Sequence, residues 1–165
     1  MYDPASIVRG KDAILEHYKG NCLAGALASD GVIIDAKFDR GELTVEVARE
    51  FIISVCEGLK EEGYNFLEDV TAVDWYPSEP RFQIVYHILS FSRKERLRLV
   101  VRLNSDDAAL DSITPVWPSA NFYEREVFDL FGVHFAGHPN LRRIMMPEDW
   151  NGHPLRKDYP VEGYR

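Results

Sequence analysis

Between residues 96 and 103 apolar and charged side chains alternate except at Val100, with Leu97, Leu99, Val101 and Leu103 set against Arg96, Arg98 and Arg102. A period of two sends successive side chains to opposite faces of a strand, so this stretch predicts a sheet with one core face and one face carrying a row of arginines. Those arginines meet either solvent and scattered ion pairs, or acidic groups on a docked partner or on the C-terminal segment. Residues 66–76 and 81–91 read as two more strands, divided by a Pro77-Ser78-Glu79-Pro80 turn and followed by a polar 92–95 loop. Upstream, 11–19 reads as a short helix capped by Asp12 and ended at Gly20, and 23–28, 32–38 and 42–47 read as strands, the last two joined at Asp39-Arg40-Gly41. Residues 48–62 carry Phe51, Ile52, Val55 and Leu59 at three- and four-residue intervals and stop at Gly63, which predicts an amphipathic helix.

This order of elements predicts an α+β fold: two layers, a mixed or antiparallel sheet with helices on one face, plus a C-terminal helix and an extended irregular arm. A polar 104–111 connection and the prolines around Trp117 place a boundary between a globular domain, 1–115, and the helix and arm, 116–165.

On a wheel of 100° per residue, Phe122, Leu130, Tyr123, Val127, Phe131 and Phe128 of the 121–131 segment sweep an arc of about 240°. Arg125, Glu126 and Asp129 gather on the remainder, Arg125 and Asp129 in pairing register at i, i+4. A helix so apolar has to be covered on most sides. Glu124 falls inside the arc, between Phe131 and Phe128, where a carboxylate is costly without a cation. Arg142, Arg143 or Arg156 folding back from the arm is the expected partner. No nucleophile, phosphate loop or second catalytic carboxylate is identifiable near Glu124 to make it a general acid or base.

Residues 134–165 cannot be regular structure, because Pro139, Pro147, Pro154, Pro160, Gly137, Gly152 and Gly163 interrupt them. Yet they carry Leu141, Ile144, Met145, Met146, Trp150, Leu155 and Tyr159, unlike a solvated linker. Such a segment has to lie on something, either its own domain or another protein. Gly137-His138-Pro139 recurs as Gly152-His153-Pro154, each followed by an apolar-Arg pair, which predicts two pinned stations along an extended chain. Arg143, Arg156 and Lys157 offer charge-assisted contacts there, and Asp158 and Tyr159 complete the second station. His134 and His138 could join His153 and Asp149 around a metal only through tertiary folding; the alternative is histidines that hydrogen-bond the backbone.

Composition narrows the class. A net charge of −8 argues against a nucleic-acid partner, and it is uneven: residues 134–165 carry +1 and the remainder −9. No apolar run reaches the roughly 20 residues that span a bilayer. The first residues, MYDPASIVRGKD, lack the pattern of a secretory signal. Cys22 and Cys56 are isolated, so an iron–sulfur cluster, zinc ribbon or dithiol centre held by this chain alone is not expected.

The run 123–132 (YEREVFDLFG), then HPNLRRI at 138–144 and EDWNGHPLRKDYP at 148–160, resembles the Nqo5-type, or 30 kDa-type, subunit of respiratory complex I, NADH:quinone oxidoreductase. The likeness extends upstream through GELTV at 41–45, DVTAVD at 69–74, FQIVYH at 82–87 and WPSAN at 117–121. The resemblance implies a non-catalytic structural subunit of the peripheral arm of a proton-translocating complex. It would dock beside the quinone-site subunit and the subunit holding the terminal iron–sulfur cluster. It implies no cofactor on this chain, with NADH, FMN, quinone and iron–sulfur clusters elsewhere in the assembly. The location implied is peripheral, on the cytoplasmic side of the bacterial inner membrane. Glu124, Arg125, Glu126, Asp129, His138, Arg142, Arg143, His153, Arg156, Lys157, Asp158 and Tyr159 are then structural and partner-binding residues. Related membrane complexes linked to ferredoxin, to deazaflavin or to a hydrogenase are the near alternative, and a small metal-assisted enzyme using His134, His138 and His153 is the distant one. Without partners, an arm that grips foreign surfaces is expected to be protease-sensitive beyond about residue 133.

Overall fold

The structure, a computed structural model, describes residues 8–10 and 31–163. The helix expected over 11–19, the strand expected over 23–28 and Cys22 lie outside the described residues. Strands β1 (Val8–Arg9), β2 (Ile33–Asp39) and β3 (Glu42–Val47) precede helix α1 (Ile52–Glu61). Strands β4 (Phe66–Asp74), β5 (Phe82–Ser90), β6 (Glu95–Leu103) and β7 (Ala109–Asp111) follow, then helix α2 (Ala120–Phe131) and β8 (His134–Ala136). Six strands form one sheet in the order β1-β2-β3-β6-β5-β4, antiparallel throughout except for the parallel pair β3 and β6. The chain is α+β with a mixed sheet, as its periodicities predict.

Register explains the single core face. Leu97 lies opposite Leu43 and Ile88, and Leu99 opposite Val45 and Tyr86, so residues of like parity stack across three strands. All six are buried. On the other face Arg96 reaches Glu42 and Glu68, Arg98 reaches Glu42 and Thr44, and Arg102 reaches Glu46. The arginine row is therefore neutralised by neighbouring strands, not by the arm. Half-exposed pairs of this kind contribute little to stability.

Ile52, Val55, Cys56 and Leu59 turn one face of α1 into the core. Phe51, expected on that face, is instead exposed. It belongs to a 3-10 turn, Arg49–Phe51, whose three residues per turn carry it out of the α-helical stripe. The parallel pair β7 and β8 was not legible in the sequence, because three-residue strands are too short to show a period. Val127 and Phe131 of α2, with Val133 and Phe135 after it, lie in the same buried cluster as Tyr86, Leu99 and Leu103 of the sheet.

Candidate partner-binding surface

At the C-terminal end of α2 the arm is gathered around one carboxylate. Asp129 is fully buried. Its Oδ1 accepts Arg143 Nη1 at 2.6 Å, and its Oδ2 accepts the backbone amides of Ile144, Met145 and Met146 at 2.9, 2.7 and 2.9 Å. Arg143 also donates to the carbonyls of Trp150 and Gly152, both at 3.0 Å, tying the Gly-His-Pro echo back to α2. The expected i, i+4 pairing of Arg125 with Asp129 on a polar face does not form. Arg125 is buried and donates to the carbonyls of Arg142 and Arg143, at 3.1 and 3.2 Å. The helix positions that look solvated on a wheel are the ones the arm covers. Glu126 stays exposed, and Phe122, on the apolar arc, is exposed as well.

Glu124 is buried as its place in the arc demands, but it meets no arginine among the described residues. It accepts the Ser112 hydroxyl at 2.6 Å and the Ile113 amide at 2.8 Å. The expectation that Arg142, Arg143 or Arg156 neutralises it is corrected: Arg143 goes to Asp129, Arg142 is held through its carbonyl, and Arg156 donates to the carbonyls of Phe131 and Gly132 at 2.6 and 3.4 Å. Neutral donors only partly offset burial, which pushes the Glu124 carboxyl up to about 7.

The two echoed histidines hold backbone. His138 Nε2 donates to the Asn121 carbonyl at 3.1 Å while Nδ1 accepts the Asn140 amide, which fixes a neutral imidazole. Its 4.0 Å approach to Glu124 is thus a contact between two polar groups, not an ion pair. His153 Nδ1 donates to the Asp129 carbonyl at 2.8 Å. Burial lowers the pKa of both rings. His134 sits exposed on β8. Among the described residues no three His, Cys, Asp or Glu side chains are grouped to hold a metal.

Gly132 ends α2 in the left-handed region, φ +73°, with its amide on the Phe128 carbonyl. A Cβ there would come within 2.5 Å of Arg156 Nη2 and of His153 Cδ2 and Nε2. Gly132→Ala is therefore expected to cost about 2 kcal/mol or more, combining backbone strain with displaced arm side chains. Faster hydrogen exchange at the Leu155 amide, which now bonds the Leu130 carbonyl at 3.0 Å, would register the displacement.

A second station lies at the far end of β4, where the expected Lys157 and Asp158 meet two residues missed in the sequence, Asp74 and Arg81. Arg81 forks onto Asp74, Nε and Nη2 each at 2.9 Å, and onto Asp158 of the arm at 3.0 and 2.6 Å. The Lys157 amide donates to Asp74 Oδ2 at 2.8 Å and the Tyr76 amide to Oδ1 at 2.9 Å. Arg81 lies 4.9 Å from the Tyr76 and Phe82 ring centres, and Arg156 lies 5.1 Å from that of Phe82. One clue was present. Val70, Ala72 and Asp74 share a strand face, so Asp74 is a carboxylate at a core position. Its partner on the arm lies more than 80 residues away, beyond any local pattern.

Burial opposes ionisation of Asp74 and Asp129, but the donors outweigh it: Arg81, Lys157 and Tyr76 hold Asp74 down at about 2, and three amides with Arg143 hold Asp129 below the usual range. Hydrogen bonds from Arg81 lower Asp158. Because the folded values lie below the unfolded ones, the released chain binds protons first on acidification. Attachment of the arm is expected to be complete above about pH 5 and to fade as pH falls towards 2. Hydrogen exchange at Ile144, Met145 and Met146 as a function of pH would follow it.

Several large apolar side chains of the arm stay exposed beside its charged ones. Met145 is 61% and Leu155 51% exposed, with Ile144 and Trp150 more than a third exposed and Val161 fully so. Trp150, Lys157, Tyr159 and Val161 border a groove of about 500 Å³. The arm is thus latched through Arg143, Arg156 and Asp158, while these apolar side chains and the charged Arg142, Glu148, Asp149, Lys157 and Glu162 remain exposed.

Residues 45–165 match the profile of the family described as "Respiratory-chain NADH dehydrogenase, 30 Kd subunit". A relative from Geobacter sulfurreducens, itself a subunit of an NADH-quinone oxidoreductase, is 53% identical over 133 residues, 79% of this chain and 82% of that protein. Among solved structures, the "trypsin-resistant fragment (1-134)" of Nqo5 superimposes with a TM-score of 0.58 at 37% identity, covering 61% of this chain and 83% of the fragment. A chain of the membrane-bound sulfane sulfur reductase, an archaeal respiratory membrane complex, superimposes with a TM-score of 0.73 at 26% identity, covering 87% of this chain and 86% of its own.

Proposed function

Since the chain belongs to the 30 kDa-subunit family of respiratory-chain NADH dehydrogenases, we propose that it is a non-catalytic structural subunit of the peripheral arm of a membrane-associated NADH:quinone oxidoreductase. It docks beside the quinone-site subunit and the subunit that holds the terminal iron–sulfur cluster, on the cytoplasmic side of the membrane. The observation that carries this reading is the latched arm: Arg143, Arg156 and Asp158 tie it to its own body, while Ile144, Met145, Trp150, Leu155 and Val161 stay exposed. Large apolar groups exposed along a latched strap are the composition of an interface core.

The complex's NADH, FMN, quinone and clusters belong on other subunits. Among the described residues the one cysteine, Cys56, is fully buried and pushed up by burial, a poor ligand for iron. No helix among the described residues is long and apolar enough to cross a membrane. The likeness to the sulfane sulfur reductase chain favours one second reading, the equivalent place in a related complex with a different electron donor or acceptor.

Affinity purification through a tag on this chain decides between them: subunits of an NADH:quinone oxidoreductase are the expected companions. Met145→Glu with Leu155→Glu, both exposed, should lower their recovery at least tenfold while the chain stays folded. Recovery of the chain alone from its native host, or substrate turnover by the isolated chain, would overturn the proposal.

A further inference from the structure

Glu124 sits where α2, the 112–117 loop and the arm meet, fully buried, and no cation neutralises it among the described residues. Its Oε2 is 2.6 Å from Ser112 Oγ, and Ser112 Oγ is 2.8 Å from Thr114 Oγ1. Ser112 is buried, whereas Thr114 is partly exposed. The three side chains form a line from the core to the surface, each at hydrogen-bonding distance from the next. From this geometry we infer that Glu124 is a buried proton-binding site, loaded and unloaded through the Ser112–Thr114 hydroxyl pair.

The proton count closes without any other group. With Glu124 neutral, its O–H donates to Ser112, Ser112 donates to Thr114, and Thr114 is free to donate outward. On release, Thr114 gives a proton to water, takes the Ser112 proton, and Ser112 takes the Glu124 proton. Both hydroxyls then point the other way, Thr114 towards Ser112 and Ser112 towards the carboxylate. The Thr114 amide, 3.2 Å from Ser112 Oγ, keeps that oxygen in place in both states. The Ile113 amide holds Oε1 in both states.

The surroundings set the balance between the two states. From α1 the Cys56 thiol and from β5 the Tyr86 phenol lie within electrostatic reach, and after burial itself the Glu124 charge is the largest influence raising both. From the arm comes His138, neutral because Nε2 donates to Asn121 and Nδ1 accepts from Asn140. Next along α2, Arg125 is turned away to the carbonyls of Arg142 and Arg143. Nothing facing Glu124 among the described residues carries a positive charge, so an ionised carboxylate is stabilised by two neutral donors alone. That places proton release near neutrality, far above an ordinary glutamate.

The test is carbon NMR of the full-length chain carrying label in its glutamate carboxyls, titrated from about pH 5 to pH 9. One carboxyl should titrate near neutrality and vanish in Glu124→Gln. Ser112→Ala, which removes a donor to the ionised form, should move that midpoint upward, and this assigns the resonance even where Glu124→Gln does not fold. Glu62, which burial also raises, should not respond to Ser112→Ala. Thr114→Val should leave the midpoint within about half a unit while slowing proton exchange at Glu124 by about tenfold or more. A Glu124 resonance with an ordinary midpoint would sink the site, and exchange as fast in Thr114→Val as in the parent would sink the route.

Discussion

Arg81→Ala is expected to lower the stability of the chain by about 3–5 kcal/mol and to free the end of the arm. Asp74 is almost fully buried and receives two donors from Arg81 alone. Removing the guanidinium leaves that carboxylate in the core with only the Lys157 and Tyr76 amides. The same change unseats Asp158 and removes the cation from the Tyr76 and Phe82 rings. Arg81→Lys separates charge from shape. A single ammonium cannot reproduce forks onto two carboxylates, so it should recover less than half of the loss. Urea unfolding measures the first effect, and trypsin cutting after Arg156 and Lys157 reports the second. Unchanged resistance to cutting in Arg81→Ala would mean that this station does not hold the arm.

The second large effect is expected at Asp129. Asn keeps one acceptor and turns the other into a donor, which then faces either Arg143 or the amides of Ile144, Met145 and Met146. Either orientation strands buried donors, at a cost of about 2–4 kcal/mol. The loss differs from that at Arg81 in what it releases. Residues 144–146 detach from α2 first, while the Arg81 station, at the end of β4, continues to hold residues 157 and 158. Hydrogen exchange resolves the two: Asp129→Asn should expose the amides at 144–146, and Arg81→Ala the amide at 157. In the assembled complex Asp129→Asn should reduce the amount of complex recovered and leave the turnover of what assembles close to the parent value. A loss of turnover at full assembly would give this chain a direct part in quinone chemistry.

The arm itself illustrates how far local pattern reaches. Its prolines and glycines announce an irregular path, and its aromatic and aliphatic residues announce that the path follows a surface. Its own body supplies part of that surface. On the proposed function, a neighbouring subunit supplies the rest. The helical wheel of α2 misassigns Arg125 and Asp129 for the same reason: a wheel sorts side chains by polarity, and here the covering layer is itself backbone. Carbonyls at 142 and 143 and amides at 144–146 are polar groups that every sequence carries, so no residue type marks them as the partners of a buried ion.

Glu124 shows the opposite case. Its place in the apolar arc was visible in the sequence, and burial followed. The identity of its partners was not visible, because a serine hydroxyl and one amide at 112 and 113 leave no signature in a sequence.

What the sequence determined by itself is what depends on neighbours a few residues apart: the strand alternation, the stripe on α1, and the turns at Gly41 and Gly63. Tertiary structure alone decided the parallel meeting of β3 with β6, the short β7–β8 pair, and the choice of Asp74 and Asp129 as anchors. Hydrogen bonds and ion pairs join whatever the fold brings within about 3 Å, and a one-dimensional pattern does not encode that distance.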